Sequence, residues 1–153
     1  MFAFPHQARA FLCGIALLCL GGCAGGNASK AVAATSPGLL GTEWQLVSHG
    51  PKNAQETLPD DALLTVHFDA DQAISGSSGC NNFRGQWQRD GEKLQISALS
   101  GTKKACPSPP GVMKLEQQFL NALTDCHDYR LQDDLLTLAY GSDGELVLIP
   151  IKG

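Results

Sequence analysis

The sequence predicts an α+β domain: one compact antiparallel sheet, strongly curled or barrel-like, carrying one principal helix. Three observations predict it. Apolar residues alternate with period two through most of Leu39 to Gly153, as half-buried strands require. Asp-Gly pairs at Asp90-Gly91 and Asp143-Gly144 punctuate that alternation, as hairpin turns do. One segment, Gly111 to about Thr124, changes to helical spacing.

Taken in order, "TEWQLVS" (Thr42 to Ser48) is a strand with Trp44 and Leu46 inward. In "LLTVHFD", Leu64, Val66 and Phe68 share the buried face, while Leu63, Thr65 and His67 take the other. "QWQRDGEKLQIS" reads as a hairpin with Asp90-Gly91 as its two-residue loop, which sets Arg89 opposite Glu92 and Trp87 opposite Leu94. Pro109 and Pro110 mark a helix start, and Val112, Leu115, Phe119, Leu120 and Leu123 form its apolar stripe, with Glu116 beside it. A last hairpin, Leu135 to Ile151, has Asp143-Gly144 near its tip and sets Leu136, Leu138 and Tyr140 on one face with Val147, Ile149 and Ile151. Strands, one helix and two further strands suit a sheet curled around, or plugged by, that helix.

Ahead of this domain lies an address. Arg9 precedes the apolar run "AFLCGIALLCLGGCA", whose length fits a secretory signal better than a spanning helix. "LGGC", Leu20 to Cys23, resembles the bacterial lipobox, which implies removal of residues 1–22 and acylation of Cys23 by fatty chains of the palmitate type. Cys13 and Cys19 lack the small residues that precede Cys23. Ala24 resembles the residues that permit outer-membrane sorting. Residues 23–38 are small and polar and read as a flexible tether, leaving 39–153 as the domain. A net charge of −4 with scattered basic residues argues against nucleic acid.

The densest chemistry is in "GSSGCNNFRGQW", Gly76 to Trp87. Ser78 suggests a nucleophile elbow, but the second glycine of G-x-S-x-G would fall at Cys80. His49 and His127 have no evident carboxylate and nucleophile partners at fixed spacing, so a hydrolytic triad is not expected. "DCHD", Asp125 to Asp128, holds metal-ligand residue types, but the adjacent Cys126 and His127 cannot both aim at one ion from a regular element; a helix end with a buried cysteine fits better. No catalytic residue, metal or cofactor is expected, and no ligand-binding residue is assigned.

"LGTEWQL", "ISGSSGCNNFRGQW", "LQISALSGTKKACP" and "MKLEQQFLNAL", in that order, resemble the META domain of HslJ-like bacterial lipoproteins. The most specific parts are the Gly-x-x-Gly-Cys-Asn-x-Phe-x-Gly run and a threonine followed shortly by cysteine, here Thr102 and Cys106. The resemblance implies an antiparallel, nearly barrel-like sheet with one helix, and no established enzymatic activity.

Placed in these two motifs and in an oxidising periplasm, Cys80 and Cys106 are expected to pair, with Cys126 as the alternative partner or the thiols free. Gly76, Gly79 and Gly85 then serve tight corners and bulges. The functional expectation is a non-enzymatic envelope accessory protein. It is held to the membrane by its N-terminal lipid on the periplasmic face of the outer membrane, and it is linked to heat-shock or envelope-stress tolerance through contacts with membrane or protein partners. Two alternatives are a pilotin-like module binding an acyl chain or small hydrophobic ligand, and a thiol enzyme using Cys80 or Cys106.

Overall fold

The computed structural model describes residues 38–152; the signal segment, Cys23 and the tether up to residue 37 lie outside the described residues. The strands are β1 Glu43–Pro51, β2 Glu56–Thr57, β3 Thr65–Phe68, β4 Ala73–Ser77, β5 Asn82–Asp90, β6 Lys93–Gly101, β7 Cys126–Gln132, β8 Leu135–Tyr140 and β9 Gly144–Pro150, and the helix is α1 Val112–Thr124. Every strand joins one sheet, ordered β2-β1-β3-β4-β5-β6-β7-β8-β9, and β1 also pairs with β9. That last pairing is antiparallel and runs from Trp44↔Pro150 to Pro51↔Gly144. The sheet therefore closes into a barrel, with β2 as a short annex on β1, and closure removes the unpaired edges of an open sheet. The molecule is mostly β, with a single helix among the described residues.

The alternating residues fall where their period places them. Trp44 is 0% exposed, and Leu46, Leu64, Val66 and Phe68 are buried beside it. Leu63 and His67 lie outward, His67 against Asp69 at 3.0 Å. Thr65 departs from expectation. It is buried, because the backbone at Gly76 is pressed against its carbonyl and Ser77 N–H donates to its hydroxyl at 3.2 Å.

Both hairpins form, each with a corrected register. In the first, Asp90 pairs with Lys93 and Trp87 with Ile96, so the loop is Gly91-Glu92 and not Asp90-Gly91. Gly91 has φ 59°, suiting a turn whose first central residue is glycine. The shift is two residues, so faces are kept and both Trp87 and Leu94 remain buried. In the second, Leu136 pairs with Leu148 and Leu138 with Leu146. Here the three-residue loop, Gly141 to Asp143, changes parity. Leu146 and Leu148 are buried, while Ile149 and Ile151 point outward.

Gly111 sits at the helix N-cap, following the proline pair as predicted. Val112, Leu115, Phe119, Ala122 and Leu123 are buried, and Leu120 is partly so. The helix lies across the barrel end where β1, β4, β6 and β8 finish. Glu116 reaches the β4–β5 corner, Leu120 lies near Gly101, and Ala122 lies near Gly50 and Tyr140. Three strands follow it, not two. The helix ends at Thr124 with Asp125 as its C-cap, and the buried Cys126 that follows opens β7, opposite Tyr140. The barrel interior is filled: Trp44, Phe68, Phe119, Leu123, Leu136 and Leu148 are among the fully buried side chains. Phe83 meets Phe119 edge-on at 6.0 Å, and Phe68 meets Trp87 at 5.3 Å.

Candidate functional site

The glycine-, serine- and asparagine-rich stretch makes a corner under the helix. β4 ends at Ser77, β5 begins at Asn82, and Ser78 to Asn81 turn between them. A side chain at Gly76 would collide with Thr65 O. Gly79 has φ 103°, and a Cβ there would also crowd Val112 at 3.1 Å, so both positions need glycine for backbone reasons.

Asn81 is the hub of this corner. It is 4% exposed, and Ser78 is 0% exposed. The Asn81 side-chain amide donates to Glu116 Oε1 at 2.9 Å and to Lys104 O at 3.2 Å. Its Oδ1 accepts from the Thr102 hydroxyl at 2.7 Å and from Lys104 N–H at 2.8 Å. All four of its hydrogen-bonding positions are thereby used. Glu116 Oε2 accepts from Asn81 N–H at 2.9 Å. Ser78 Oγ lies 2.7 Å from the same oxygen and 2.9 Å from Asn81 O, so its one proton is already committed. Among the described residues no buried side-chain nitrogen or oxygen lacks a partner.

The disulfide between Cys80 and Cys106, with Cα atoms 5.9 Å apart, ties this corner to the segment holding Thr102 and Lys104. The pairing is the expected one. The remaining described cysteine, Cys126, is free and buried. Burial pushes its thiol up to about 12, opposed by a hydrogen bond with the Asp128 backbone and assisted by the Asp128 charge, so it carries almost no thiolate near neutral pH.

The described histidines lie elsewhere. His67 pairs with Asp69 at the barrel end opposite the helix. His127 approaches Asp125 O at 3.4 Å and Asp128 at 3.6 Å. His49 lines a cleft of about 340 Å³ with Glu56, Gln118, Asn121, Asp125 and Tyr140. None of these contacts includes Ser78 or either bridged sulfur. A second groove of about 340 Å³ runs over the first hairpin beside Cys126 and His127. Among the described residues no three His, Cys, Asp or Glu side chains converge as a metal site would need.

Glu116 is the residue whose role the sequence left open. Its spacing, four after Val112 and three before Phe119, places it beside the buried stripe. Which donors it would meet depends on a corner 35 positions away.

A META domain family model matches residues 37–152. The chain belongs to the META domain family. Within this META domain, the two motif runs of the sequence meet in space: Asn81 of the first is held by Thr102 and Lys104 beside Cys106 of the second. Among solved structures, a protein from Burkholderia xenovorans determined by NMR is 26% identical, covering 75% of this chain and 85% of that one at a TM-score of 0.64. A duf4847 family protein from Bacteroides vulgatus is 21% identical and shares the fold, covering 73% and 94% at a TM-score of 0.53. No curated protein matches the chain.

Proposed function

We propose that this META domain is a lipid-anchored envelope accessory protein of the HslJ-like kind, acting through contacts with membrane or protein partners and not through turnover. The observation that carries the reading is the closed state of its chemistry-bearing corner. Ser78, Asn81, Thr102 and Glu116 are bonded to one another, and Cys80 to Cys106. Catalysis needs a nucleophile, base and orienting group free to meet a substrate, and these side chains are occupied in holding the helix on the barrel. The address comes from "LGGC" and the short apolar run before it, which support acylation at Cys23, and from Ala24, which supports an outer-membrane, periplasmic-face location.

A pilotin-like acyl ligand inside the barrel would compete for volume with Trp44, Phe68 and Phe119, each almost fully buried. Such a ligand would therefore have to use a surface groove. The anchoring test is Cys23→Ser in the producing bacterium. The domain should leave the membrane fraction or accumulate as uncut precursor; unchanged fractionation and mature mass would overturn the reading.

A further inference from the structure

Besides Leu63 and Met113, four large hydrophobic side chains are exposed among the described residues: Leu40, Leu135, Ile149 and Ile151, at 42%, 41%, 39% and 39%. They gather at one end of the barrel. Leu135 opens β8, and continuing the register from Leu136↔Leu148 sets it opposite Ile149. Ile151 N–H donates to Glu43 O at the start of β1. Leu40 bridges to Phe68, at the finish of β3. This is the end opposite α1 and the end at which Gly38 joins the barrel.

We infer that this aliphatic patch rests on a zwitterionic lipid surface, orienting the barrel with its helix end away from the bilayer. The inference rests on the anchoring proposed above and names the partner of that arrangement. Cys23 precedes Gly38 by 38 − 23 = 15 residues, a reach of at most ~50 Å when fully extended, and that reach starts beside the patch. The four side chains expose on the order of 300 Å² together, well short of the ~800 Å² per partner of a stable dimer. An already tethered domain needs far less to hold an orientation, because the anchor makes the contact effectively intramolecular.

Charge selects the kind of lipid. Asp134 beside Leu135 is paired with Lys152 at 3.6 Å, but this end also carries Glu43, Asp69, Asp71 and Asp133. Strongly anionic lipid would repel them.

The test uses the acylated chain in phosphatidylcholine vesicles containing brominated lipid, with Ile149→Trp as the reporter and Met113→Trp, on the helix, as its counterpart. Native Trp44 and Trp87 are buried and supply a common background. Quenching should be about threefold stronger for the Ile149 reporter, in keeping with shallow insertion of apolar side chains at the interface. It should fall when Leu135→Glu and Ile151→Glu are added, and when phosphatidylglycerol replaces half of the lipid. Flotation with the vesicles reads the anchor separately. A chain that floats but quenches equally at both reporters overturns the docking and leaves the anchor standing; a chain that does not float overturns both. Reporter shielding that grows with protein density, independent of bromine, would assign the patch to a second copy and also overturn the proposal.

Discussion

Replacing Asn81 with alanine should destabilise the domain by about 3 kcal/mol. The substitution removes the side-chain bonds to Glu116, Lys104 O, Thr102 and Lys104 N–H. Each is worth roughly 1 kcal/mol net, and more where a buried partner is stranded. Lys104 is exposed and recovers part of its loss from water, which brings four bonds down to about 3 kcal/mol. For a domain of this size, an unfolding entropy of ~2.1 cal/mol/K per residue converts that loss into a drop in Tm of about 12 °C. The assay is urea and thermal unfolding of a chain beginning at Ala24, kept oxidised, with Asn82→Ala beside it. Asn82 is exposed and enters hydrogen bonds only through its backbone, so its substitution should cost less than ~0.5 kcal/mol. Equal, small effects at both positions would refute the claim that the Asn81 network fastens the helix to the barrel.

Removing the disulfide as Cys80→Ala with Cys106→Ala should cost about 3.5 kcal/mol on the loop-entropy account for a separation of 26 positions, read as a lower midpoint in the same unfolding assays. The Cys126 thiol should resist alkylation in the folded protein at pH 8 and react on unfolding. Its folded value is raised to about 12 from 9.0, so its contribution is fully present below pH 9 and is lost as pH rises from there towards 12. Across that window the wild type should lose up to ~1.4 kcal/mol per pH unit relative to Cys126→Ala; parallel profiles would contradict the raised value.

Much of the barrel was legible because burial on one face imposes a period of two, and burial along a stripe imposes the helical one. Trp44, Leu64, Phe68 and Phe119 are inside for that reason. What failed was loop length. At Asp90-Gly91 the misplaced turn moved the register by two residues and spared the core assignments; at Gly141 to Asp143 the extra loop residue reversed the β9 face. β7 was not read because its pairing shifts between Cys126 and Asp128, which breaks the alternation. The glycine-rich motif holds the expected corner at Ser78 to Asn81, flanked by Gly76 and Ser77 of β4 and Asn82 of β5; the small residues at Gly76 and Ser77 serve close backbone approach. The Glu116 contacts were illegible because they join segments that only the closed sheet brings together.

The central claim, that this META domain acts as an anchored contact module and not as a catalyst, is tested most directly by complementation of a deletion strain under envelope stress. Three forms are compared at matched, folded levels: the acylated wild type, a secreted form lacking Met1 to Cys23 behind a cleavable signal, and acylated Ser77→Ala, whose hydroxyl bonds to Leu63 O outside the Asn81 hub. The account predicts rescue by the wild type and by Ser77→Ala, and failure of the secreted form. Full rescue by the secreted form, or loss of rescue by the stably folded serine variant, would contradict it.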